Sequence, residues 1–244
     1  MNSIILCEGP TDAILLSYYL GKLYGWRYSA EPPSPSIKIA PKSNQEINWY
    51  KRGDDSLLIY AVGGKDNFAN AINVYISKIL LNYSEQYNFR KIVIIADRDD
   101  MNISEIEHLH QQWLSPYVQE MKNEHWTQNN FVDAFGNGQT LCALSIIIPV
   151  DKQGALETML LEAISENEYN KVIVDSSRNF VDDVCPNAKK YIKTNRLALK
   201  AHLATVFAII SPEKVFSKLD NLIKDIPWEN SKTLNACFNV LAEI

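Results

Sequence analysis

Short apolar runs alternate with stretches of helical periodicity along the first two thirds of the chain. Three runs rich in Ile, Val and Leu are typical of strands buried on both faces, and they cover residues 3–7, 56–62 and 91–96. Apolar positions at helical spacing follow each run, over residues 13–24, 68–81 and 104–121. Strands that alternate with helices predict an α/β fold, with a mostly parallel sheet flanked by helices and right-handed crossovers.

The remaining segments predict a second, helical part of the chain. Residues 29–55 hold four prolines among many polar residues, which indicates a surface insertion with a short strand over 37–39. Residues 130–150 predict a β-hairpin around a Gly-Asn-Gly turn, and residues 154–164 predict a helix. Farther on, Asn195 is placed to cap a helix over 196–210, and Pro212 to open another. We therefore expect a core at 1–165 and a helical C-terminal extension at 166–244 that packs on it.

Composition narrows the class of protein. No run approaches the roughly 20 apolar residues of a membrane span, and the N-terminus lacks the pattern of a signal peptide, so a cytoplasmic location is expected. The scattered cysteines contain no CxxC pair, which argues against a zinc site or a disulfide framework; they are Cys7, Cys142, Cys185 and Cys237. On the predicted helix His108 and His110 point to different faces, which is typical of a solvated surface rather than a metal pair. The net charge of −5 argues against coating duplex DNA by bulk electrostatics.

Acidic and glycine-rich residues follow the three predicted strands. Glu8 follows the first, Gly63, Gly64 and Lys65 follow the second, and Asp97, Asp99 and Asp100 follow the third. Ligand sites of open parallel sheets form at the carboxyl ends of strands. Carboxylates that gather there raise each other's pKa unless a cation neutralises them, and oxygen ligands without His or Cys favour Mg²⁺ or Mn²⁺ over zinc. Such ions stabilise the transition state of phosphoryl displacement.

The segments IILCEGPTDAILL and IVIIADRDD resemble the Toprim domain. This domain is shared by topoisomerases, bacterial primases, small ribosomal-RNA maturation nucleases and the overcoming-lysogenisation-defect (OLD) nucleases. The resemblance covers roughly residues 3–165 and implies a Toprim-like (Rossmann-like) sheet. It also implies that Glu8 acts as general acid or base and as a metal ligand, and that Asp97 and Asp99 bind the metal.

Three further carboxylates are candidate metal ligands. Asp12 matches the EGxxD form of the OLD-like branch, although Asp12 or Thr11 is also placed to cap the helix that follows. Asp100 either extends the acidic cluster or caps the next helix. Glu157 resembles an acidic position of the OLD-like proteins, and a Glu in the first turn of a helix is also favoured by the helix dipole.

Candidate substrate contacts come from a glycine turn and a basic strip. Gly63 and Gly64 resemble the turn at which the family's backbone passes close to the site, and Lys65 is either a phosphate ligand there or a solvated turn lysine. The strip consists of Lys189, Lys190, Lys193, Arg196, Lys200 and His202. On a single helix four of its cations would share a face, unless Asn195 breaks that helix. The strip is either a solvated face or a phosphate contact through Lys193 and Arg196, and the resemblance to OLD-like nucleases makes Lys200 a candidate catalytic lysine.

The chain has no space for the nucleophilic-tyrosine domains of topoisomerases, and its cysteines do not form the zinc module of primases. The leading hypothesis is thus a small stand-alone Mg²⁺- or Mn²⁺-dependent nuclease that hydrolyses DNA or RNA. The alternative is a non-catalytic Toprim-like module that binds nucleic acid or a nucleotide within a larger complex, for example in defence. A third reading is a response-regulator fold, whose acidic pocket also follows parallel strands. It is disfavoured because that fold requires a lysine after a late strand and a much shorter chain. No GxxxxGK[ST] motif is present, so an ATPase would be a separate partner; a homodimer is also open.

Overall fold

A computed structural model describes residues 1–35, 37–77, 89–133, 135–214 and 219–244, without the side chains of 219–221. The strands of these ranges form one seven-stranded sheet in the order β2-β3-β4-β1-β5-β7-β6. They are β1 (Asn2–Cys7), β2 (Arg27–Ser29), β3 (Glu46–Arg52), β4 (Asp55–Ala61), β5 (Phe89–Asp97), β6 (Thr127–Val132) and β7 (Gly138–Ile148).

The centre of the sheet is parallel and both of its flanks are antiparallel. β4, β1, β5 and β7 run in the same direction, with Cys7 opposite both Ala61 and Ile95. β2 and β3 extend one flank, and β6 forms a hairpin with β7 at the other. The predicted α/β fold, its three central strands and its late hairpin are therefore confirmed.

Both faces of the sheet are covered, because alternate side chains of each central strand point to opposite sides. Ile5, Ile59 and Val93 belong to a core that includes apolar residues of the first helix and of the C-terminal helices. Ile4 and Ile94 belong to the core on the opposite face. The C-terminal section thus shares a hydrophobic core with the sheet.

The helices, numbered in chain order, lie on both faces of the sheet and in the C-terminal section. They are α1 (Pro10–Tyr24), α2 (Phe68–Ala71), α3 (Ile103–Leu114), α4 (Leu156–Ser165), α5 (Glu168–Val184), α6 (Asn195–Ile210), α7 (Leu219–Lys224) and α8 (Lys232–Phe238). A π-helical turn, Ile72–Ile76, continues α2, and 3₁₀ turns cover Lys65–Asn67, Pro212–Lys214, Trp228–Asn230 and Asn239–Glu243. Within the described ranges no helix combines the length and the apolar character that crossing a membrane requires.

The predicted insertion at 29–55 is partly wrong. Residues 37–39 form no strand, whereas Glu46–Arg52 pairs along its whole length with β4. Trp49 and Tyr50 are buried, one on each face of the sheet, and their burial holds β3 in place. The polar, proline-containing stretch is therefore limited to the connection between β2 and β3.

Two predicted helix lengths also differ from the structure. The helix over 104–121 ends at Leu114, because Pro116 disfavours helical geometry at Ser115 and lacks the N–H that would continue the ladder. The helix over 68–81 is divided into α2 and the π-helical turn, and its last four positions lie outside the described residues.

Three predicted helix caps are shifted by a few residues. Gly9, rather than Thr11 or Asp12, is the N-cap of α1, and Asn102, rather than Asp100, is the N-cap of α3. Thr194, one residue before Asn195, caps α6 by accepting a hydrogen bond from the backbone N–H of Leu197. Pro212 does open a short 3₁₀ turn.

His110 corrects the expectation of a solvated histidine pair. Its ring is fully buried, and Nδ1 lies 2.9 Å from the hydroxyl of Ser145 on β7. His108 is exposed, as expected for the opposite face of α3. All four cysteines are free.

Candidate active site

The parallel register brings Glu8 and Asp97 together at the carboxyl edge of the sheet. Both are buried, with relative exposures of 6% and 2%. The backbone N–H of Asp97 donates to Oε1 of Glu8 over 3.0 Å, and Oδ1 of Asp97 accepts from the backbone N–H of Leu156 over 2.8 Å. Asp97 is thereby fixed between β1 and the start of α4.

Asp12 and Glu157 complete a ring of buried carboxylates, each in the first turn of a helix that begins at this edge. Oδ2 of Asp12 accepts a hydrogen bond from the backbone N–H of Gly9 over 2.9 Å. Asp12 thus binds back to the N-cap residue of α1, as the N3 side chain of a capping box does. Oε1 of Glu157 accepts from Lys200, whereas its Oε2 is buried without a hydrogen-bond partner. An orphaned carboxylate oxygen marks a position where a donor or a cation would be favourable.

Two cations of α6 face this ring. The guanidinium of Arg196 pairs with Asp97, lies 3.3 Å from Oδ1 of Asp99 and lies 3.7 Å from Oε2 of Glu8. Lys200, one turn later, pairs with Glu157. A cation in the first turn of a helix is disfavoured by the helix dipole, so the carboxylates must supply the attraction that holds Arg196 there.

The turn after β4 carries the backbone past Glu8. The N–H groups of Gly63 and Gly64 both donate to the carbonyl oxygen of Glu8 over 2.9 Å. Gly63 has a φ of +81°, and a Cβ there would stand 2.6 Å from the carbonyl oxygen of Asn44. Glycine is therefore required at residue 63 for both its dihedral angle and its space.

Asp99 and Asp100 stand apart from the buried ring. Asp99 has a left-handed backbone (φ +52°), exchanges two backbone hydrogen bonds with Gly154, and binds Lys65 through Oδ2 at 3.1 Å. Asp100 is exposed, and its carbonyl oxygen accepts from Gln153. Neither aspartate lines the pocket described below.

A pocket of about 300 Å³ lies between the carboxylates and α6. It is lined by Glu8, Gly9, Pro10, Thr11, Asp12, Asn44, Gly63, Gly64, Asp97, Leu156, Glu157, Arg196 and Lys200. Sequence reasoning missed Asn44, whose Nδ2 donates to the carbonyl oxygen of Gly63 over 3.1 Å. Its signal was weak, because it lies in the polar stretch predicted to be a surface insertion.

Burial and nearby negative charges shift three acids of this pocket, Glu8, Asp12 and Asp97, towards their neutral forms. Burial, followed by the charges of Glu8 and Asp12, raises the pKa of Asp97 to about 8, although Arg196 opposes this shift. Burial likewise raises the pKa of Asp12 to about 7, and it raises the pKa of Glu8. The edge of the sheet therefore favours additional positive charge.

The predicted substrate-binding cations occupy two kinds of position in the structure: some pair with carboxylates at the pocket, and others lie in the loop before α6. Lys65 donates to Asp99 and, over 3.2 Å, to the carbonyl oxygen of Asp97, so it is not a free turn lysine. Lys189 and Lys193 lie in the loop between α5 and α6, so the basic strip is not one helix, and of the four cations expected on one face only Arg196 and Lys200 share a face of α6. Lys193 is exposed. Among the described residues, no three His, Cys, Asp or Glu side chains are placed as a ready ligand cluster for a metal ion.

Comparison with known proteins identifies a family whose description states no function. No curated protein matches the chain. A solved structure of a hypothetical protein from Pyrococcus horikoshii OT3 has 15% sequence identity and a TM-score of 0.49, and the match covers 98% of this chain and 99% of that one. The model of a family described as a protein of unknown function, DUF3226, matches residues 2–239, and the chain belongs to that family.

Proposed function

We propose that this protein is a metal-dependent nuclease with a Toprim-type site. One observation carries the proposal: four buried carboxylates surround a single pocket at the carboxyl edge of a parallel sheet, and two cations of α6 face them. The acids are Glu8, Asp12, Asp97 and Glu157, and the cations are Arg196 and Lys200. A bound cation favours the ionised carboxylates, and with all four acids and both cations ionised the pocket carries two net negative charges, which a divalent ion would neutralise.

The donor set fits Mg²⁺ or Mn²⁺ by its chemistry. Every acidic donor is a carboxylate oxygen, as these hard ions prefer, and Oε2 of Glu157 lacks a partner. The ion would be held, once Arg196 moves away from Asp97, by Glu8, Asp12, Asp97 and Glu157. Asp99 is a further candidate at the rim, whereas the exposed position of Asp100 does not support it as a ligand. A bound ion of this class neutralises phosphate charge and acidifies water in phosphodiester hydrolysis.

The remaining residues supply proton transfer and charge. Burial raises the pKa of Glu8, and its position beside Asp97 is fixed, which suits a group that accepts and returns a proton. Arg196 has a side chain 40% exposed and Lys200 one 52% exposed, so both reach solvent at the pocket and suit a phosphate ligand. When the substrate phosphate arrives, these cations exchange carboxylate partners for phosphate oxygens.

Cleavage assays test this proposal. Labelled single- and double-stranded DNA and RNA are incubated with the protein in Mg²⁺, Mn²⁺ or EDTA, beside Glu8→Gln, Asp97→Asn and the matched control Asp100→Asn. We expect metal-dependent cleavage that falls at least about 100-fold in the first two variants, as for the loss of a general base or a charge-stabilising group, and is retained in the control. Cleavage that survives both substitutions would contradict the assigned site. Binding without cleavage under every metal would favour the non-catalytic module instead.

A further inference from the structure

The loop between α5 and α6, residues 185–194, is a strongly basic segment of an acidic protein. It contains Lys189, Lys190 and Lys193 and no acidic residue, whereas the whole chain has a net charge of −5. All three lysines are exposed. Such a segment attracts a polyanion locally, although the chain as a whole does not.

An aromatic ring stands among these lysines. Tyr191 is 73% exposed, and the ammonium group of Lys190 lies 5.5 Å from the centre of its ring. The loop is held in a defined turn, because the backbone N–H groups of Tyr191 and Ile192 both donate to the carbonyl oxygen of Ala188, over 2.8 and 2.9 Å. An exposed aromatic ring on a fixed basic turn is the arrangement on which unpaired bases stack in single-strand-binding proteins.

The loop leads directly into the pocket. Thr194 caps α6, and Arg196 follows in its first turn and reaches Asp97 and Glu8. Lys193 is only three positions before Arg196, a separation of at most about 10 Å along the chain. A polyanion that lies on the loop therefore has cations along its path from Lys189 to the carboxylates.

We propose that residues 189–193 receive a single-stranded nucleic acid, with the lysines on its phosphates and one base stacked on Tyr191. The inference rests on the proposed function, since it names the substrate form of that same site. Stacking on an exposed ring requires an unpaired base, which a duplex does not offer. A flexible strand also needs only this narrow basic path, whereas a duplex is usually bound by a broader basic surface.

Binding in EDTA tests the loop without any cleavage. The fluorescence anisotropy of a labelled single-stranded oligonucleotide is measured with the full chain, with Tyr191→Ala and with Tyr191→Phe. We expect Tyr191→Ala to weaken binding about 5- to 150-fold, which corresponds to the removal of one stacked base, and Tyr191→Phe to retain it. An abasic strand of equal length has the same phosphates but nothing to stack, so on this strand Tyr191→Ala should change nothing.

Tyr169→Ala is the matched control. Tyr169 is also exposed (82%), but it lies at the opposite end of α5, about 24 Å along the helix from this loop. We expect this variant to bind as the wild type does. Replacing Lys189, Lys190 and Lys193 together by alanine should reduce the slope of log affinity against log salt by about 2, at roughly 0.7 for each phosphate that a lysine no longer neutralises.

The outcomes separate the loop from the nuclease. Equal binding of single strands by the wild type, Tyr191→Ala and the triple-lysine variant would overturn the loop assignment, even if metal-dependent cleavage is found. Tighter binding of duplex than of single strands would overturn it as well. Binding that depends on Tyr191 in a protein that never cleaves would support the loop and refute the nuclease.

Discussion

Replacing Asp12 by asparagine is expected to remove a large part of the pH dependence of folding stability. Burial raises the pKa of Asp12 from 3.8 to about 7 in the folded protein. The folded chain thus keeps a proton at pH values where the unfolded chain has released it. Because the folded state binds more protons, the free energy of unfolding falls as the pH rises from about 4 to about 7.

The magnitude follows from the two pKa values. A pKa of about 7 against 3.8 corresponds to about 4 kcal/mol of stability lost on full ionisation. About 3 kcal/mol of this loss falls between about pH 5 and about pH 8, because the unfolded carboxyl is already largely ionised at the lower pH. Asparagine has no proton to lose, and its amide oxygen retains the acceptor that the backbone N–H of Gly9 uses.

Urea unfolding in EDTA at these two pH values provides the measurement. Relative to the wild type, Asp12→Asn should gain about 3 kcal/mol of unfolding free energy on going from the lower to the higher pH. Asp100→Asn changes an exposed aspartate and should follow the wild type. Saturating Mg²⁺ should narrow the gap, since a cation favours the ionised carboxylate. Parallel pH profiles for Asp12→Asn and the wild type would refute the reasoning.

Three further predictions concern the glycine turn, the buried histidine and the arginine of the pocket. Gly63→Ala should lower the free energy of unfolding by about 2 kcal/mol or more, because the added Cβ meets the backbone of Asn44. Gly53→Ala, also at positive φ but in open space, should lower it by only about 1 kcal/mol. Urea unfolding of both variants measures the difference, and equal losses would refute the steric argument. Burial lowers the pKa of His110 to about 3, so the free energy of unfolding should fall as the pH drops below about 6.5, by about 2 kcal/mol at pH 5. In thermal unfolding, His110→Asn should lack this part of the acid sensitivity. An acid response equal to that of the wild type would contradict the assignment to His110. Arg196→Ala should destabilise the protein at pH 8 by about 1–2 kcal/mol through loss of its ion pairs, a modest value because the side chain is 40% exposed. Arg196→Lys should restore part of this stability. Unchanged thermal stability of both variants would show that the ion pairs contribute nothing.

The centre of the fold and the acidic edge were predictable from local patterns. An apolar run that ends in a carboxylate specifies both a buried strand and the position of the acid at its end, so Glu8 and Asp97 could be placed before the structure was known. Glu157 was a candidate through the resemblance to the OLD-like proteins, which have an acidic position in the helix after the last such strand. In each of these cases the chemistry lies within a few residues of a strong periodic signal.

The features missed depend on contacts between distant segments. β3 lies in a stretch dominated by prolines and polar residues. Its signal was the Trp-Tyr pair, whose burial depends on residues distant in the sequence, such as the ring of Phe89 that stacks on Trp49. Arg196 was proposed for a substrate, but the sequence cannot show that the loop after α5 turns α6 towards the carboxylates. Burial of His110 likewise depends on β7, which lies 35 positions away.

The pocket joins parts of the chain that are made far apart in time during synthesis. Arg196 lies 99 positions after the Asp97 that it neutralises, and Lys200 lies 43 positions after Glu157. A nascent chain therefore exposes all four acids before either cation of α6 has left the ribosome. Until α6 docks, the carboxylates at this edge repel phosphates and one another. We therefore expect the sheet to become fully stable only once the last third of the chain has docked, and the pocket to receive a polyanion only from then on.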